Sequence, residues 1–145
     1  MRLKTYLKEG EIHIQKIQKA LNKLPYPFNC EINEFEETLD MLAFRFSKLQ
    51  SLLGEKIFRE YLKENLFDVE EKSFLDILRE IEKEGIIDID TWAEFRKVRN
   101  FIAHEYSLNS EEKYERINFL IEEAQKLINV FEKIKDKIEI NSKRD

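Results

Sequence analysis

A chain of 145 residues has room for one compact core and little room for two, since domains commonly hold about 100–150 residues. With 25 Lys and Arg against 30 Asp and Glu, the formal charge of -5 excludes a global field that would draw in a polyanion, so any nucleic-acid contact must be local. The lone Cys30 excludes an internal disulfide, and three Gly and two Pro leave few breakers, which points to a few long helices.

Residues 1–10 carry Arg2, Lys4 and Lys8 without the apolar run of a signal peptide. No later stretch approaches the roughly 20 apolar residues of a membrane span. The expectation is a cytoplasmic protein without membrane contact, with Cys30 as a small, reduced, mostly buried side chain.

Leu7, Ile12, Ile14, Ile17, Leu21 and Leu24 recur at three- and four-residue steps and predict an amphipathic first helix. It stops at Pro25-Tyr26-Pro27, where the residue before each proline is pushed out of helical geometry. Asn33 and Glu36 resemble a capping box opening a longer helix, whose stripe runs Phe35, Leu39, Leu42, Phe46, Leu49 and Leu53. Gly54 is expected to bend or end it, and Lys56 to Asn65 reads as helical again, with Ile57, Phe58, Tyr61 and Leu62 apolar.

Ser73 is positioned to cap a third helix through Phe74, Leu75, Ile77, Leu78 and Ile81, ending at Gly85. Asp90 is the expected cap of the next, whose apolar face is Trp92, Phe95, Val98, Ile102 and Tyr106. Asn109 with Glu112 predicts a capped last helix, periodic from Tyr114 to Ile134, with Ile138-Glu-Ile140 and the tail frayed. No strand alternation or repeat interrupts this, so the fold expected is an all-α, up-and-down bundle of four to five main helices in a single domain over residues 1–145.

Chemistry concentrates in Arg99-Asn100-Phe-Ile-Ala-His104-Glu-Tyr106. On a wheel of about 100° per residue Arg99 falls inside the apolar arc between Trp92 and Tyr106. An arginine there needs an acceptor: a buried carboxylate, helix carbonyls or an anionic ligand. His104 lies near Asn100 on the polar side, about 140° from Arg99 in a regular helix. Either the helix ends near His104, or a second copy of the chain completes the group. The Asn100 amide, four residues earlier, can hold one imidazole tautomer. Tyr106 returns to the Arg99 side, as a rim tyrosine of the core or as a hydroxyl at the site.

Arg96, Lys97 and Arg99 form a basic patch that reads either as an RNA contact or as a solvated face partnered by Glu94 and Glu105. Arg45, near Met41 and Leu52, reads as a structural pair with a carboxylate or as a buttress of a cleft beside Arg99. With two histidines and one cysteine no catalytic metal set is apparent, and Glu36-Glu37 and Glu122-Glu123 read as solvated faces. No cofactor is expected.

Arg99-Asn100-x-x-x-His104 resembles the R-polar-x(3–5)-H signature of the HEPN superfamily, and its extension to Tyr106 resembles the R-x4-H-x-Y form of HepT-type toxins. The helix order, the Phe44-Arg45-Phe46-Ser-Lys-Leu-Gln50 segment and the Trp92 lead-in are also similar, so the resemblance spans most of the chain. It implies a HEPN-type bundle that pairs as a homodimer, with both motifs lining one cleft. It further implies a metal-independent endoribonuclease, the toxin of a type II toxin–antitoxin pair. Arg99 and His104 would be catalytic, supported by Asn100 and Tyr106. The partner implied is a minimal nucleotidyltransferase antitoxin, with Tyr106 its target for AMPylation. Two other readings stand beside this: a non-catalytic HEPN-like nucleotide-binding or substrate-binding subunit of a nucleotidyltransferase, and a plain helical interaction domain with Arg99 paired in the core.

Overall fold

The computed structural model describes residues 2–103 and 110–144, apart from the side chains of 101–103, 110 and 144. It consists of α1 (Arg2–Lys23), α2 (Glu36–Leu52), α3 (Phe58–Glu64), α4 (Phe74–Lys83), α5 (Ile89–Ala103) and α6 (Ser110–Arg144). A 3-10 turn, Ile32–Phe35, leads into α2, and a π-helical turn, Leu53–Ile57, joins α2 to α3 without a break. There is no strand among the described residues, and the architecture is the all-α helical bundle expected.

The core lies where α1, the α2–α3 rod, α5 and α6 meet. Ile17, Phe46, Leu49, Ile57, Phe95, Leu127 and Phe131 are fully buried there. On α1 the buried side includes His13, while Ile12 is 53% exposed. The expected stripe holds at Leu7, Ile14, Ile17, Leu21 and Leu24 and fails only at Ile12, because Leu3, Leu7, Gly10, Ile14 and Ile17 set the arc and Ile12 falls outside it. Gly10 permits close packing of α1 on α6: a Cβ there would lie 2.7 Å from Cζ of Phe131.

The connector after α1 is tied down by Asn118 of α6. Its Oδ1 accepts from the Phe28 N–H at 2.6 Å and its Nδ2 donates to the Phe28 carbonyl at 3.1 Å. Phe28 is thereby seated in the core, 1% exposed, with both its backbone groups satisfied.

Three local expectations are overturned and one is met in part. Asn33 makes no capping box, since the chain enters α2 through the 3-10 turn, whose N-cap is Glu31 with no side-chain cap bond. The expectation at Gly54 is met in part: α2 ends at Leu52, and the chain stays helical through the π turn into α3. Gly54 is buried within that turn, where its missing Cβ leaves room for the Trp92 indole, whose Cζ2 would lie 2.8 Å from that Cβ. The cap of α5 is Asp88 and not Asp90, with Asp88 Oδ1 accepting from the Thr91 N–H at 2.7 Å. That bond draws the Asp88 carboxyl below its usual range. Finally, α6 does not fray at Ile138. It continues to Arg144 because Ile138 packs on the core and Asn141 donates to Asn65 at 3.2 Å.

Ser73 and Asp76 form the reciprocal capping box expected for α4. Gly85, at φ +74, ends that helix with the Ile86 N–H reaching back to the Ile81 carbonyl, the left-handed stop glycine tolerates. The proposed Asn109 cap of the last helix lies outside the described residues.

Candidate active site

The aromatic lead-in to the motif is a packed column. Trp92 lies 5.5 Å from Phe58 and 6.0 Å from Phe95, and Phe95 stands edge-on to Phe46 at 5.9 Å. Edge-to-face rings at such spacing favour one orientation over a sliding contact. This fixes the rotation of α5 on α2, and so the direction in which the next turns point.

Arg99 is exposed, which corrects its expected place inside the core arc. A wheel gives azimuth and not depth, and at this height α2 offers the small Ser51 in place of a large apolar side chain. Arg99 Nη1 donates to Ser51 Oγ at 3.3 Å. Among the described residues that neutral hydroxyl is its only hydrogen-bond acceptor, and no carboxylate closes on it. Its exposure does not fit the core-paired reading of Arg99.

Asn100 and Arg96 are also exposed. Arg96 and Arg99, three residues apart, share one side of α5. Lys97 points elsewhere and pairs with Glu94 at 3.2 Å, the solvated-face reading. His104 and Tyr106, together with Glu105, lie outside the described residues. The motif is thus described for Arg99 and Asn100, and α5 runs up to Ala103.

Arg45 turns to α1. Its Nη1 stands 3.1 Å from His13 Nδ1, so its described partner is an imidazole of α1, not a carboxylate and not a described residue of the motif. A guanidinium can only donate, so His13 accepts through Nδ1 and carries its proton on Nε2. Burial, with the charges of Arg45 and Lys48 against the opposing pull of Glu9, lowers the His13 pKa from its ordinary value.

Glu123 corrects the solvated-face reading of Glu122-Glu123. It is 1% exposed, with Oε2 lacking a hydrogen-bond partner among the described residues and Oε1 3.6 Å from Lys126 Nζ. Burial raises its pKa, and Glu94 and Glu122 add to the rise against Lys126. A wheel drawn on Leu120, Ala124 and Leu127 sets Glu123 at the border of the apolar arc, a signal the sequence reading passed over. Ser51 was missed because a hydroxyl on a helix has no signature until its neighbour is known.

A cavity of about 650 Å³ opens where the start of α1 and the ends of α3 and α6 meet, lined by Leu3, Leu7, Tyr61, Asn65, Ile138 and Asn141 among others. Within it the Tyr61 hydroxyl donates to Glu84 at 2.9 Å, and burial pushes its pKa up to about 12. The cavity lies at the far end of α6 from Ser110. No group of three metal-ligating side chains occurs among the described residues, and none of their helices is long and apolar enough to cross a membrane.

No protein-family model matches the chain, and no curated protein or solved structure does either. The class established is an all-α bundle carrying an exposed arginine at the base of an R-N-x-x-x-H-x-Y string.

Proposed function

We propose that the chain is a HEPN-type endoribonuclease that cuts RNA without a metal and acts as a homodimer with a composite site. What carries the reading is the string Arg99-Asn100-x-x-x-His104-x-Tyr106, begun by a guanidinium that is exposed and met only by the Ser51 hydroxyl among the described residues. Such a guanidinium is available to a phosphate. A core arginine closed by a carboxylate would not be.

In this reading His104, of a residue type that ordinarily titrates near about 6.5, takes the proton of a ribose 2'-hydroxyl. The freed oxygen attacks the adjacent phosphorus, the bond from phosphorus to the 5'-oxygen breaks, and the second subunit's copy of the histidine gives that oxygen a proton. Arg99 stays charged throughout and forks onto the phosphate oxygens as their charge builds. The products are a 2',3'-cyclic phosphate and a 5'-hydroxyl. Asn100 holds the imidazole tautomer, and Arg96, beside Arg99, extends the positive field along the strand.

The chain is then the toxin of a toxin–antitoxin pair. A nucleotidyltransferase antitoxin that transfers AMP from ATP to the Tyr106 hydroxyl, with pyrophosphate leaving and the hydroxyl proton lost to solvent, would set an anion beside Arg99 and block the cleft. The test is incubation of purified protein with RNA in excess chelator, wild type against Arg99→Ala and His104→Ala. Cyclic-phosphate ends from wild type alone support the reading. Equal cleavage by folded variants, or none by wild type, removes it and leaves the nucleotide-binding subunit as the alternative.

A further inference from the structure

The stripe of α2 that ends at the Arg99 contact carries an aromatic and cationic track. Phe44, Lys48 and Ser51 are spaced i, i+4 and i+7 and so share one side of the helix. The Phe44 ring is 52% exposed. Lys48 Nζ stands 5.4 Å and Arg45 Cζ 5.3 Å from its centroid. Ser51, at the other end of the stripe, holds the Arg99 guanidinium at 3.3 Å. Seven residues at 1.5 Å of rise separate Phe44 from Ser51 by about 10 Å along the helix. The exposed acids Asp40 and Glu55, one turn beyond each end, bound the stripe.

We infer that this stripe binds single-stranded RNA, with a base stacked on Phe44, a phosphate at Lys48, and the strand led to the Arg99 guanidinium over Ser51. An open aromatic flanked by cations, continuous with a further exposed cation, is how single strands are held without reading sequence: the ring takes a π-face and the cations take the backbone. The pairing of an open ring with cations is what favours a nucleic-acid strand over a second copy of the chain as occupant. A second copy could bring carboxylates to the cations, but would have to set an apolar face on Phe44 at the same spot, whereas a strand carries bases and phosphates in alternation. A polyanion satisfies ring and cations together. The destination of the strand rests on the ribonuclease reading, whereas the binding does not.

The test is anisotropy of a labelled single-stranded 2'-O-methyl oligoribonucleotide, which cannot be cut by 2'-hydroxyl attack, so binding is read apart from cleavage. Phe44→Ala should weaken binding about tenfold or more, the effect of losing one base–aromatic stack. Phe44→Tyr, which keeps the ring, should restore it. Lys48→Ala should lower the slope of log affinity against log salt by about 0.7, as expected for one phosphate contact on a single strand. Phe44→Trp gives a second readout, because an indole placed there should be quenched by a stacked base while the buried Trp92 is not.

Wild-type affinity in Phe44→Ala, or no binding of the probe by wild type, overturns the inference. So does a change in oligomeric state on sizing with the affinity per dimer unchanged, which would assign the ring to a second copy. Probe binding that depends on Phe44, in a protein that leaves ordinary RNA uncut, would retain the track and reject the ribonuclease. Cleavage with an indifferent Phe44 would do the reverse.

Discussion

Arg45 donates through Nη1 to His13 Nδ1 at 3.1 Å, across the seam between α1 and α2. The contact needs a neutral imidazole, since an imidazolium has a proton on both nitrogens and nothing to offer a guanidinium. The His13 pKa is lowered in the folded protein, so the unfolded chain binds the proton first on acidification. The stability this supplies is complete above about 6.5 and is lost as pH falls through the lowered folded value. Urea midpoints across that window should fall for wild type and stay flatter for His13→Gln, which keeps an acceptor for Arg45 and cannot titrate. His13→Ala, which orphans the guanidinium, should cost about 1–3 kcal/mol at neutral pH. Parallel pH profiles for wild type and His13→Gln would contradict the neutral imidazole.

Glu123 carries the opposite sign. Its carboxyl pKa is raised, by burial first and by Glu94 and Glu122 after it, so the folded state holds the proton more tightly than the unfolded chain. The contribution is favourable below the ordinary value of 4.5 and is lost as pH rises through the folded one. At neutral pH an ionised Glu123 with an orphaned Oε2 is a cost. Glu123→Gln should therefore raise the melting temperature there by about 2–4 °C, equivalent to about 1 kcal/mol in a chain of this size. The gain should vanish in acid. A lower melting temperature for the variant at neutral pH would mean that the carboxylate has a partner of its own.

Gly54→Ala separates propensity from packing. In an open helix the change stabilises by about 1 kcal/mol. Here the added Cβ would meet Trp92 Cζ2 at 2.8 Å and Cη2 at 3.0 Å, atoms of a ring held between Phe58, Phe74 and Phe95 that has little freedom to retreat. The expected result is destabilisation by about 1–3 kcal/mol, the usual range for overpacking. Trp92 is the only tryptophan, so its emission should shift as the ring moves. A stabilised Gly54→Ala would show that the column gives way.

These cases mark what could be read in advance. Periodicity located every helix, and the turn chemistry at Ser73 and Gly85 was legible because a capping hydroxyl and a positive-φ glycine act on their own few residues. Asp90 and Arg99 were misplaced, and Gly54 was legible only in part, for one reason: each depends on what stands across from it. Gly54 sits in a π turn against Trp92, whose ring fills the space a Cβ would take. Arg99 is exposed because α2 presents Ser51 at that height. Asp88 won the cap over Asp90 because the start of α5 is set by Ile86 and Ile87 entering the core just before it. Of the candidate site, the order Arg99, Asn100, His104, Tyr106 was visible in the string itself. The track on α2 was not, since Phe44 falls off the stripe of Leu39, Leu42, Phe46 and Leu49 but its nearness to Lys48 and Arg45, and the contact of Ser51 with Arg99, show only in three dimensions.

Arg99→Ala tests the stability and the activity sides of the site together. An exposed side chain whose described hydrogen bond is one 3.3 Å contact to a hydroxyl contributes little to folding, so the melting curve should stay within about 0.5 kcal/mol of wild type. If the guanidinium meets the charge building on a phosphate, cleavage of RNA in chelator should nevertheless fall about 100-fold or more, the scale seen when a preorganised donor to a developing oxyanion is removed. Arg99→Lys should recover only part of this, because an ammonium keeps the charge and loses the two-pronged match to phosphate oxygens. Ser51→Ala frees the guanidinium without removing it, and should change binding of the strand less than Arg99→Ala does. A large loss of stability in Arg99→Ala would return the residue to the core. Undiminished cleavage in a well-folded Arg99→Ala would take it out of the chemistry.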